Sequence, residues 1–75
     1  MKKLLNTVYV NNPDRYLSLD GENLVISCMQ EEIARVPLHN IERIVSFGHS
    51  GASPALMGKC VKNGIELVFM DRIGR

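Results

Sequence analysis

A chain of 75 residues can hold one small domain, burying about 60–65% of the surface its unfolded form exposes. Nine Lys and Arg against eight Asp and Glu leave a net charge of only +1, so composition alone does not announce a nucleic-acid binder. Two cysteines, Cys28 and Cys60, form no CxxC pair. His39 and His49 stand ten residues apart without a ligand-spaced acid or thiol, so neither a disulfide framework nor a metal site is expected. Met1–Leu5 begins like a secretory signal, but Asn6 and Thr7 interrupt the apolar run at once. The apolar stretches are too short to span a bilayer. Together these features predict a reduced, cytoplasmic protein without membrane contact, whose marginal core leans on a partner surface.

The first half reads as short strands. Leu4–Asn11 is rich in β-formers, and Asn11-Asn12-Pro13-Asp14 is dense in turn residues. Leu17 and Leu19 alternate with Tyr16 and Ser18, and Asp20-Gly21-Glu22-Asn23 marks a hairpin. Leu24, Ile26 and Cys28 alternate with Val25 and Ser27. A turn at Gln30-Glu31 leads to a strand over Glu32–Val36, closed by Pro37, which cannot donate to a central ladder. Four short strands with tight turns predict an antiparallel sheet or half-sandwich.

The second half reads as a strand, a glycine-rich loop, a capped helix and another strand. Leu38, Ile41, Ile44 and Val45 form an apolar corner feeding a strand over Ile44–Phe47. Ser53 is a suitable N-cap, Pro54 suits the first helical position, and Gly64 can end the helix in a left-handed conformation. On a helix over Pro54–Lys62, residues Leu56, Met57, Cys60 and Val61 share an apolar arc, with Lys59 and Lys62 on the other side beside Ala55 and Gly58. Ile65, Leu67 and Phe69 are expected on the inward face of the following strand. Gly74 has the character of a turn residue whose return strand is missing, so the chain is expected to stop in mid-architecture.

Charge is distributed unevenly. Asp14, Asp20, Glu22, Glu31, Glu32 and Glu42 outnumber Arg15 and Arg35 in the middle of the chain. From Arg43 onward Arg43, Lys59, Lys62, Arg72 and Arg75 outnumber Glu66 and Asp71. Two lysines one helical turn apart beside small residues would let a phosphate backbone approach, with the Gly51–Ser53 amides as a further anion site. The plainer reading is a solvated helix face with an ordinary cap. His49 is by the same reasoning a surface loop residue. Nothing pairs a nucleophile with a base, so the residues by themselves describe a non-catalytic β-rich module.

The ordered set Tyr16-Leu17-Ser18-Leu19-Asp20-Gly21, the corner Leu38–Ile44, Ser53-Pro54-Ala55, and Gly64-Ile65 followed by Phe69 and Gly74 resembles the N-terminal β domain of the CRISPR-associated integrase, closest to its I-C branch. The resemblance covers essentially the whole chain. It implies a mainly β fold with one short α-helix, a small antiparallel β-sandwich-like domain spanning residues 1–75. It also implies a larger helical domain whose Glu, His and Asp hold Mg or Mn beyond Arg75, so that no catalytic or metal-binding residue and no cofactor is assigned within this chain. In that family a 3′-hydroxyl of a new spacer attacks repeat DNA, an activity of antiviral defence. The implied partners are a second copy of the chain, double-stranded DNA and a small ferredoxin-like nuclease of the same pathway. The residues expected on the DNA side are Lys59, Lys62, Arg72 and Arg75, with Tyr9 or Tyr16 as stacking candidates or plain core tyrosines. The 75 residues alone are expected to support dimerisation and DNA rather than catalysis. The alternative is a self-contained dimeric β interaction module with no nucleic-acid chemistry.

Overall fold

Turn residues divide the first half of the chain into hairpins. In the computed structural model, which describes residues 2–4, 6–12, 14–47 and 51–70, β1 (Lys2–Leu4) folds back on β2 (Thr7–Val10). Strands β3 (Tyr16–Asp20), β4 (Asn23–Cys28) and β5 (Glu31–Pro37) then run as an antiparallel meander. Gly21, at φ 62, supplies the left-handed residue of the two-residue turn between β3 and β4. The β4–β5 turn is Met29–Gln30, one residue earlier than expected, with both residues at positive φ (53 and 67). Two consecutive left-handed residues match the twist of the flanking strands, so hairpin geometry overrides the local preference for glycine or asparagine. In β5, Ile26 pairs with Ala34 but Ser27 with Glu32, which leaves Ile33 as the extra residue of a bulge.

After Pro37 a 3-10 turn, Leu38–Asn40, buries Leu38 and delivers the chain to β6 (Arg43–Phe47). Two residues, Gly51–Ala52, form the short strand β7 before α1 (Pro54–Asn63) and β8 (Glu66–Met70). The strands make two four-stranded sheets, ordered β1-β2-β6-β8 and β5-β4-β3-β7. The expected mainly β sandwich with one helix is what forms, but its pairing is mixed. β2–β6, β6–β8 and β3–β7 are parallel, and β6–α1–β8 is a crossover unit. β7 lies within a stretch expected to be loop. It pairs with Tyr16 and Leu17, and Gly51 lies so close under the Tyr16 ring that an added Cβ would stand 3.2 Å from Tyr16 Cδ1 and push the ring aside by a few tenths of an ångström. The expected Gly74 turn lies outside the described residues.

Helix α1 has the expected ends. The Ser53 hydroxyl accepts a hydrogen bond from the Leu56 N–H (3.2 Å), and Pro54 opens the first turn. Gly64, at φ 71, donates its N–H to the carbonyls of Cys60 and Val61. The buried face is narrower than the apolar arc read from sequence. Leu56 and Cys60 are buried, whereas Met57 is 43% exposed and Val61 83%. At about 100° per residue, Met57 lies about 80° from the midline between Leu56 and Cys60, and Val61 lies about 120° away. The helix touches β3 of one sheet and β8 of the other, and only the Leu56–Cys60 ridge fits between them. Phe69 also departs from expectation. It ends largely exposed on edge strand β8, while Leu67 packs against the core and buried Ile65 precedes the strand.

Both sheets and the helix share one core. Val8 and Ile44 from the first sheet meet Leu17, Leu24 and Ile26 from the second, closed by Leu56, Cys60 and Ile65. Each fully buried Leu or Ile contributes about 1.5–3 kcal/mol. One polar atom interrupts this core: Ser46, on central strand β6, is fully buried and its hydroxyl has no partner among the described residues. Replacing Gly64 by Ala is expected to cost about 1 kcal/mol, because a Cβ is disfavoured at φ 71. Ser46→Ala is expected to add about 1 kcal/mol by removing a buried unpaired hydroxyl. Urea midpoints of the two variants check both signs.

Candidate nucleic-acid interface

The two lysines of α1 occupy one flank of the helix, and the fold treats them differently. Lys62 is exposed and makes no ion pair among the described residues. Lys59, about one turn back and nearer the core, keeps only 20% of its side chain exposed and pairs through Nζ with Glu22 Oε2 at the β3–β4 turn. The proposed anion site at the helix start does not form as expected. The Gly51 N–H donates to the Arg15 carbonyl (3.4 Å) and the Ser53 N–H to the Leu17 carbonyl (2.8 Å), so β3 and the residue before it take these donors. Arg72, Arg75 and His49 lie outside the described residues.

Other basic groups are balanced within the fold. Arg43 Nε donates to Glu66 Oε1 at 2.6 Å across the β6–β8 pair. Arg35 forks between Glu32 (3.0 and 2.9 Å) and Asp20 (2.6 Å) on the β3–β4–β5 sheet. The hydrogen bond from Arg35 holds the Glu32 carboxyl below the usual carboxylate range, and the same contacts, Glu32 first, push the Arg35 guanidinium up. These pairs are solvent-exposed, so each adds little to stability. The excess of bases read from sequence after Arg43 is reduced on the surface, because Glu66 pairs with Arg43 within that part of the chain and Glu22 pairs with Lys59 from outside it.

A polar crevice of about 430 Å³, which sequence reading missed, opens at the end of the β1-β2-β6-β8 sheet between Asn6, Thr7, Glu42, Arg43, Gly64 and Glu66. Its groups satisfy one another. Asn6 Nδ2 donates to Glu42 Oε2 (2.5 Å), the Asn6 carbonyl accepts from the Glu42 N–H (2.9 Å) and Arg43 N–H (3.3 Å), and the Glu66 N–H donates to the Glu42 carbonyl (3.0 Å). No local motif marks this crevice, since its residues come from three separate segments. Among the described residues no three His, Cys, Asp or Glu side chains converge to hold a metal ion, and His39 is exposed. Among them, too, no helix is long and apolar enough to cross a membrane. Tyr16 stands largely exposed beside Gly51, and Tyr9 is half-buried.

The two thiols have distinct surroundings. Cys28 is half-buried and accepts a hydrogen bond from Arg15 Nη1 at 3.1 Å, whereas Cys60 is in the core and burial pushes its thiol up. A raised native value favours the protonated thiol. Its stabilisation is thus complete below the ordinary value of 9.0 and is lost as pH rises above it. At neutral pH a thiol reagent is expected to label Cys28 in the native chain and Cys60 only on unfolding, as read by mass spectrometry of the peptides.

Comparison with known proteins adds ancestry to this geometry. Residues 8–75 match the family model described as CRISPR associated protein Cas1. The chain is 51% identical over 75 residues to CRISPR-associated endonuclease Cas1 2 of Rhodospirillum rubrum, covering all of this chain and 22% of that protein. It is 43% identical over 75 residues to CRISPR-associated endonuclease Cas1 1 of Chlorobaculum tepidum, with the same coverage. In fold it is similar to part of a chain in a Cas6-RT-Cas1–Cas2 complex, with a TM-score of 0.81 at 13% identity, covering 100% of this chain and 8% of that one. The chain thus spans about a fifth of the length of the curated relatives it matches.

Proposed function

The chain belongs to the family of CRISPR-associated Cas1 proteins, and on that premise we propose that it is the N-terminal β domain of a metal-dependent DNA endonuclease that inserts new spacers into CRISPR arrays. The observation that carries this reading is coverage. Relatives named endonucleases align over the whole of this chain, yet over only 22% of their own length. That proportion fits a division of labour. The Glu, His and Asp that hold Mg or Mn belong to a helical domain beyond Arg75, and the β domain by itself is inactive.

The role assigned to the β domain is assembly and DNA support in the cytoplasm. Met57, Val61 and Phe69 leave apolar surface on α1 and β8 for a second copy of the chain. Lys62 and Lys59 line one flank of α1, and Arg72 and Arg75 are the other cations assigned to DNA phosphates. The pathway's small ferredoxin-like nuclease is the proposed further partner, supported by the Cas1–Cas2 composition of the complex that contains the structural neighbour.

The full-length polypeptide with Lys59→Glu and Lys62→Glu is expected to bind duplex DNA more weakly, with its salt dependence flattened by about one to two phosphate contacts at roughly 0.9 in slope each. Binding measured across a salt series checks this, and an unchanged series removes the two lysines from the interface. Retained dimerisation with no DNA affinity in the wild type would favour the self-contained interaction module, to which the exposed apolar residues are equally suited.

A further inference from the structure

Glu22 and Lys59 are 37 residues apart in sequence, yet their side chains meet across the gap between the β3–β4 turn and α1. The carboxylate stands on anchored backbone. Gly21 at φ 62 sets the turn, and the Glu22 carbonyl accepts a hydrogen bond from the Leu38 N–H at 2.9 Å. The neighbouring carboxylate, Asp20, is already occupied by Arg35 at 2.6 Å, which leaves Glu22 as the acid paired with Lys59. Glu22 keeps 73% of its side chain in solvent, whereas Lys59 keeps 20%. Lys62 shares the same helix flank and has no such partner among the described residues.

We propose that Glu22 is an electrostatic mask on the DNA-facing flank of α1: it holds the Lys59 ammonium until a phosphate displaces it. The proposal rests on the reading of that flank as a DNA contact. Lys62 makes the first phosphate contact without giving up an ion pair. Lys59 makes the second only by exchanging a carboxylate oxygen for a phosphate oxygen. Such an exchange is cheap, because Glu22 is well hydrated and its release leaves no buried charge. It lowers the affinity of the free surface for stray anions while preserving two contacts once a duplex is seated. The basic character of the flank is in this way partly latent in the unbound domain.

The test uses the full-length polypeptide and a short duplex of arbitrary sequence, titrated between roughly 50 and 200 mM salt. Glu22→Gln keeps the side-chain shape and removes the mask. It is expected to tighten binding by about twofold to fivefold at low salt, the range an exposed ion pair spans, and to steepen the salt slope. In a Lys59→Gln background, Glu22→Gln is expected to lose most of that gain and to leave the slope unchanged. An equal gain with and without Lys59 would mean that Glu22 merely repels DNA, and the mask is then overturned. Lys62→Glu separates the two ideas. If it leaves binding and slope unchanged, the DNA-facing reading of the helix fails. If it weakens binding while Glu22→Gln does nothing, the mask alone fails.

Discussion

Parallel neighbours cannot be joined by a tight turn, and β6 has two of them, β2 and β8. Most of the architecture follows from accommodating those two pairings in 75 residues. Between β2 and β6 the chain has to travel the length of the sandwich and back, and it uses the excursion to build β3, β4 and β5, the bulk of the second sheet. Between β6 and β8 it crosses once more, and that crossing is α1. The second sheet and the helix are therefore the connections that the first sheet demands, folded so that their apolar sides close the same core. This also explains why the helix can be thin in its contacts. Its Leu56–Cys60 ridge fills the opening between β3 and β8, while Met57 and Val61 beside the ridge stay exposed.

Charge follows the same logic of connection. Arg35 ties β5 to β3 by reaching Asp20 while holding Glu32 on its own strand, Arg43 ties β6 to β8 through Glu66, and Lys59 ties α1 to the β3–β4 turn through Glu22. Exposed pairs of this kind contribute little energy individually. Their larger effect is on what the surface offers to a charged ligand, since each pair removes a cation that composition alone would count as available. Among the described residues Lys62 stands outside these pairings. A family whose members are named endonucleases thus carries, in this chain, a surface with fewer free cations than its sequence suggests.

The parts of the fold that were legible in sequence are those set by neighbours in the chain. Ser53, Pro54 and Gly64 mark the helix ends because capping is decided within one turn of residues. Gly21 marks a hairpin for the same reason. What escaped was set by distant segments. Nothing near Gly51–Ala52 says that Tyr16 and Leu17 will pair with them, and nothing near Lys59 announces Glu22. The apolar arc on α1 is wider than the buried face because a hydrophobic period gives the direction of a buried face but not its width; the width depends on how far apart β3 and β8 stand. The β4–β5 turn falls at Met29–Gln30, one residue from where the polar residues suggest it, because its left-handed pair is imposed by strand twist rather than by residue type. The family resemblance carried more about ancestry than any single motif, because it used order and spacing along the whole chain.

The two sheets also differ in time. Each pairing among β3, β4 and β5 links residues that are close in sequence, so this meander can close as soon as the chain reaches Pro37. The register of β2 with β6 joins Thr7 to Arg43, 36 residues later. During synthesis at roughly 5–20 residues per second, β2 therefore waits about 2–7 s for its central neighbour to be made. In that interval it has β1 on one side and nothing yet on the other. A finished meander presenting Leu17, Leu24 and Ile26 is the nearest apolar surface against which Val8 and Val10 can shelter. The order of the strands along the chain thus allows a template for the slow, long-range parallel pairing to form before β6 arrives.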